Sequence, residues 1–183
     1  MTLESGEELH ANKVVVATDG ATAGSLLGDA EPVASQGVTC LYFAAPTPPI
    51  ERPILVLNGD GAGPINNLCV PTTVAPSYGP AGSSLISVTV LGTHPDAAAL
   101  QAEVQTQLKD WFGAQAEGWR HLRTYRIPHA LPRQSPPALA EMERPVRTST
   151  GVYVCGDHRD NASINGAMVS GRRCAERLLA EMR

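Results

Sequence analysis

Gly151-Val152-Tyr153-Val154-Cys155-Gly156-Asp157, followed after a polar loop by Ser163-Ile164-Asn165-Gly166-Ala167-Met168-Val169-Ser170-Gly171-Arg172, is the stretch from which the fold is read. Val152 to Cys155 is a short apolar run of the kind that forms a parallel strand buried on both faces, and Gly156-Asp157 stops it. Behind the loop the pattern predicts a helix over about Ile164 to Glu181, with Asn161 or Ser163 as its cap. The same order recurs near the other end: Lys13-Val14-Val15-Val16-Ala17, the turn Thr18-Asp19-Gly20, then a short helix over about Ala21 to Leu27. Two such units predict that Val14 to Ala17 and Val152 to Cys155 lie side by side in one parallel sheet.

Between these ends the chain changes character. From Pro32 to Pro95 the only charged residues are Glu51, Arg52 and Asp60, and β-rich runs alternate with Pro/Gly turns: Val38 to Ala44, Ile54 to Leu57, Leu68 to Val70 and Leu85 to Leu91. An antiparallel or mixed sheet is expected. Asp96 caps a predicted helix from Ala97 to Phe112 that stops at Gly113, with Leu100, Val104, Leu108 and Trp111 on one face. His121 to Ile127 reads as a strand and Pro128 to Pro145 as a Pro-broken linker. The fold class expected is therefore α/β and α+β, with a Rossmann-like half made of residues 1–31 and 133–183 and a β-rich domain, residues 32–132, inserted between them.

The 183 residues, 43% hydrophobic and 17% charged, suffice for one ordinary domain or a small pair, and exclude a disordered chain. Up to Trp119 there are three basic and twelve acidic residues, and beyond it eleven and six, a net −9 followed by +5. The late positives are all Arg, interleaved with acids and never in a basic run, so pairing between the two parts is read here and no nucleic-acid partner. Cys40, Cys69, Cys155 and Cys174 have no C-x-x-C spacing and read as reduced core residues of a cytoplasmic chain. No stretch approaches a membrane span, which leaves peripheral membrane contact open.

Gly59-Asp60-Gly61-Ala62-Gly63 resembles a nucleotide loop in glycine content alone: Pro64, Asn66 and Asn67 begin no helix, so a hairpin turn is expected. At Asp157, beyond the carboxyl end of a strand, ligands of open α/β sheets bind and a carboxylate accepts their hydroxyls; a loop-capping role is the alternative. Ala167, Gly171 and Ala175 form a stripe without side-chain volume, which packs on the sheet or lies close to something bulky. Asp157-His158-Arg159-Asp160 offers metal-ligand types, but adjacent residues seldom converge on one ion, so no metal is expected and Asp160 is read as a bystander. No nucleophile has a base that the sequence reveals, and a catalytic residue is not assigned.

Residues 151 to 179 resemble the C-terminal flavin-contacting segment of the FAD-dependent amine oxidase, phytoene desaturase and protoporphyrinogen oxidase superfamily. Its pattern is an apolar strand ending in Gly-Asp, a loop, and a Ser-x-x-Gly-Ala-x-x-Ser-Gly helix, and every one of those positions is present. Asn12 to Leu27 and the run Ala75 to Leu85 are similar to further parts of the same superfamily. The resemblance implies FAD as cofactor. It implies that Gly156 allows close approach, that Asp157 bonds the ribityl chain or nearby phosphate, and that Ser163, Ile164 and Asn165 face the pyrimidine end of the flavin. A helix N-terminus there favours negative charge on the reduced ring. The charge-poor middle corresponds to a substrate domain for a small apolar or amine substrate.

The chain lacks the G-x-G-x-x-G unit that holds the ADP part of FAD in that superfamily. The expectation is a truncated flavoprotein, the C-terminal part of an oxidoreductase that takes hydride from substrate, completed by the missing N-terminal half in cis or in trans. A non-catalytic remnant or partner subunit that docks on a chain carrying that half is the alternative, and a metal-dependent hydrolase using Asp157, His158 and Asp160 ranks last.

Overall fold

The structure, a computed structural model, describes residues 1–28, 33–136, 141 and 143–182. The chain divides into two compact units, one formed by Met1–Ser35 with Leu131–Arg183, the other by Gln36–Ala130.

In the first unit, β1 (Val15–Val16) pairs in parallel with β7 (Tyr153–Val154), Val15 opposite Tyr153 and Val16 opposite Val154. The expected pairing of the two chain ends is present. Tyr153 N–H donates to Val14 O and Cys155 N–H to Val16 O, both at 3.0 Å. β1 leads into α1 (Gly20–Leu27), because Asp19 Oδ1 accepts the otherwise unpaired N–H groups of Ala21 and Thr22 at 3.0 Å each. The helix ends on Gly28, whose φ of 67° suits a residue without Cβ. Beyond β7, α4 (Ile164–Glu181) runs over the bounds the sequence predicts. Tyr153, Cys155 and Cys174 form one small core, and Val16, Ala23 and Val154 another.

The second unit is a five-stranded sheet in the order β3-β4-β5-β2-β6. Its strands are β2 (Ser35–Ala45), β3 (Val56–Leu57), β4 (Ile65–Cys69), β5 (Ser84–Leu91) and β6 (Arg120–Pro132), with a one-turn helix α2 (Pro71–Val74) after β4. Side chains alternate along β2: Thr39, Leu41, Phe43 and Ala45 are buried, while Val38, Cys40, Tyr42 and Ala44 are half-buried on the opposite face. Leu41, Phe43 and Ala45 join Ile86, Val88 and Val90 of β5 and Leu100, Val104 and Leu108 of α3 (Ala97–Phe112) in the main core. Asp96 caps α3, accepting from Ala98 N–H at 3.0 Å and Ala99 N–H at 2.9 Å.

Three sequence readings need correction. β6 does not stop at Ile127 but runs through Pro128 to Pro132; it is an edge strand, with one row of backbone groups outside the ladder, where proline is tolerated. Ile54 and Leu55 precede β3 instead of belonging to it, since Ile54 N–H turns back to Arg52 O at 2.9 Å. Cys155 and Cys174 are core residues, but Cys40 and Cys69 are only half-buried. Part of the Pro-broken stretch, and the boundary between residues 31 and 32, lie outside the described residues.

The Gly59 to Gly63 segment is the hairpin connection between β3 and β4. Its closure depends on Gln107 of α3, whose Oε1 accepts from Ile65 N–H at 2.9 Å while its Nε2 donates to Ala62 O at 2.7 Å. Gly63, at φ 73°, is where a Cβ would collide with that amide. Gln107→Leu keeps the volume and strands the Ile65 N–H, while Ala62 O keeps its bond from Asn58 Nδ2, so it should cost about 1–3 kcal/mol in urea unfolding. An unchanged midpoint would mean that the amide is dispensable. Among the described residues no helix is long and apolar enough to cross a membrane.

Candidate functional site

The site is built at the carboxyl end of β7. Gly156 has φ 148°, and a Cβ there would stand 2.7 Å from the His158 ring and 3.1 Å from Thr18 O, so the chain passes only as glycine. Its N–H donates to Ser170 Oγ at 3.1 Å, which ties the strand end to the buried face of α4. Asp157–Arg159 then make one 3-10 turn, with Arg159 N–H on Gly156 O at 3.1 Å and Asp160 N–H on Asp157 O at 3.2 Å.

The side chains of Asp157, His158 and Asp160 part company. Asp157 stays 27% exposed, and within the described residues its nearest charged or titratable partner is His158 Nδ1, 3.9 Å away. His158 is buried, packs where a side chain on Gly20 would come, and its Nδ1 has no hydrogen-bond partner among the described residues. Burial first, and then the Arg159 charge, hold its pKa below the ordinary value, so the ring is neutral at neutral pH. Asp160 points elsewhere: its carboxylate accepts from Arg173 at 2.8 Å and from the backbone and side-chain nitrogens of Asn161 at 2.9 Å each. Arg173 also donates to Arg144 O at 2.6 Å.

The lowered His158 pKa has a consequence for stability. The unfolded imidazole titrates near 6.5 and the folded one lower, so on acidification protons bind the unfolded chain first. The associated stability is complete above 6.5 and is lost as pH falls through the folded value. Thermal unfolding of wild type should therefore weaken between about pH 7.5 and 5.5 more than that of His158→Gln. Equal slopes for the two proteins would contradict it.

Ser163, not Asn161, is the cap of α4. Its Oγ accepts from Gly166 N–H at 3.0 Å and itself donates to Asn161 Oδ1. A Cβ on Gly166 would strike the Asn161 carbonyl, so the loop lies directly against the first turn. Ile164, 81% exposed, and Asn165 carry first-turn N–H groups that no acceptor among the described residues satisfies. Of the two readings of the small stripe, packing on the sheet does not hold. Gly166, Ser170 and Cys174 are the face α4 buries, whereas Ala167 and Gly171 are half-buried, Ala175 is exposed, and a Cβ on Gly171 would meet nothing within 4 Å. The Ser170 and Gly166 contacts set the helix rotation and turn the other stripe away from the packing.

Gly156 and Asp157 are thus adjacent at the strand end, and Ser163, Ile164 and Asn165 form the opening turn of the helix docked on that end. Asp160 is held in its ion pair with Arg173, away from Asp157. That pair also keeps Asp157, His158 and Asp160 from converging as ligands, and among the described residues no cluster of three metal-binding side chains occurs. Ser170 and Gly166 were legible only as small residues four apart; no spacing announces the Asp160–Arg173 pair.

The polar groups suit a ligand with hydroxyls and an electron-rich end: a partly exposed acceptor carboxylate at Asp157, and unsatisfied N–H donors with a partial positive charge at Ile164 and Asn165. Residues 1–179 match the family model described as flavin containing amine oxidoreductase. An oxidoreductase from Methanosarcina mazei superposes with a TM-score of 0.67 at 17% identity, over 92% of this chain and 43% of that one. A protein from Pyrococcus furiosus gives 0.62 at 15%, over 97% and 43%. Reduced UDP-galactopyranose mutase gives 0.68 at 12%, over 86% and 38%. The chain thus spans less than half the length of these structures, with which it shares a fold. No curated protein matches it.

Proposed function

The chain belongs to the flavin-containing amine oxidoreductase family, and on that premise we propose that it is the C-terminal part of an FAD-dependent oxidoreductase, joined in cis or in trans to the half that holds the ADP portion of FAD. The observation that carries this reading is the Asp157 carboxylate at the end of β7, partly exposed and without a hydrogen-bond donor among the described residues. Residues 1–31 and 133–183 then form a Rossmann-like half, and residues 32–132 a substrate-type domain.

FAD, when bound, supplies the acceptor for hydride leaving an apolar or amine substrate. This chain's part is to hold it. Asp157 accepts hydrogen bonds from hydroxyls of the ribityl chain, and Gly156 keeps the backbone clear of side-chain bulk there. The N–H groups of Ile164 and Asn165, on a turn fixed by Ser163, lie where a helix N-terminus favours negative charge, which aids reduction of a ring placed against them. A catalytic residue is not assigned.

The alternative is a non-catalytic subunit that docks on a chain with the dinucleotide half. Anaerobic exposure of the complemented, flavin-loaded protein to amines and to unsaturated apolar compounds separates the two. Bleaching of the flavin absorbance by one class identifies the oxidoreductase, while bound flavin that no compound bleaches supports the docking subunit.

A further inference from the structure

The half-buried face of the five-stranded sheet carries a hollow of about 460 Å3, lined by Tyr42, Leu85, Leu122, Arg123 and Tyr125. Its walls are apolar or aromatic, and the single charge on them is Arg123. No carboxylate among the described residues pairs with that guanidinium. It lies over the Tyr125 ring instead, 5.1 Å from the centroid, and Tyr125 is held edge-on to Tyr42 at 5.8 Å and 87°. A guanidinium stacked on an aromatic uses its face for the contact and leaves its in-plane N–H donors free, the geometry that matches a planar oxyanion at two points. Asp60, Glu103 and Asp110 line a different hollow beside α3.

We propose that this hollow binds a small amphipathic carboxylate, its apolar body against Tyr42, Leu85 and Leu122 and its carboxylate on Arg123. The volume lies within the range of small-molecule sites, and a lone cation on an otherwise uncharged wall selects an anionic end group over a neutral or cationic one. Identifying this ligand as the enzyme's substrate rests on the reading of residues 32–132 as a substrate-type domain, and keeps the apolar branch of the proposed substrate class while discarding the amine. The binding itself does not rest on that reading.

Calorimetric titration of the 183-residue chain with decanoate, decanol and decylamine tests it without any flavin, so its outcome is separate from that of the flavin assays. Decanoate should bind tightest, and Arg123→Gln should weaken decanoate by about tenfold while leaving decanol unchanged. Tyr125→Leu, which removes the platform but keeps the charge, should weaken decanoate by a smaller factor. Decanoate binding no tighter than decanol, absent altogether, or indifferent to Arg123→Gln would overturn the proposal.

Discussion

Asp160→Ala should destabilise the unit built from the two chain ends by about 3–5 kcal/mol, the loss expected when one partner of a desolvated ion pair is removed. The Asp160 side chain is 10% exposed and that of Arg173 20%, so solvent screens the pair little. The truncation leaves the Arg173 guanidinium without its charge partner, and the two Asn161 nitrogens lose their acceptor. Asn161 in turn orients Ser163, the cap of α4, so the damage spreads into the first helical turn. With folding free energies of about 5–15 kcal/mol, a loss of this size lowers α4 protection throughout. Urea unfolding with amide exchange read at α4 measures it, and Asp160→Asn, which keeps an acceptor and removes the charge, should fall between. A change under about 0.5 kcal/mol would show that the pair is screened as a surface pair is.

Asp157→Ala should do the reverse, leaving stability nearly unchanged and weakening flavin. The carboxylate accepts from no donor among the described residues, so its loss strands nothing inside the unit. A ligand hydroxyl bonded to a charged acceptor contributes about 1.5–3 kcal/mol, roughly ten- to a hundredfold in affinity. The effect is read in the complemented protein by flavin titration, with Asp157→Asn intermediate. Equal affinities for wild type and Asp157→Ala would remove the role assigned to this carboxylate.

The contrast between these two acids, three positions apart, marks what the sequence carries and what it does not. Pattern and caps announce whole elements: Asp96 and Gly113 bracket α3, and the twin apolar runs at Val15 and Tyr153 predict their own pairing. Placement of Gly156 and Asp157 at a strand end, and of Ser163 at a helix start, follows from the same signals. What stays hidden is set by contacts between residues distant in sequence. Nothing local distinguishes Asp160 from Asp157 as the partner of Arg173, and the rotation of α4 depends on Ser170 meeting the Gly156 N–H. Pro128 in β6 misleads because tolerance of proline depends on edge position, which only the assembled sheet defines.

Flavin titration of this chain alone and together with a dinucleotide-binding half of the family tests the central claim most directly. These 183 residues hold no G-x-G-x-x-G unit for the pyrophosphate, so the chain alone should be colourless and bind FAD weakly or not at all. With the complementing half it should bind one FAD per complex. Stoichiometric FAD on the isolated chain, or a stable complex with the complementing half that binds no more FAD than that half does alone, would contradict the account.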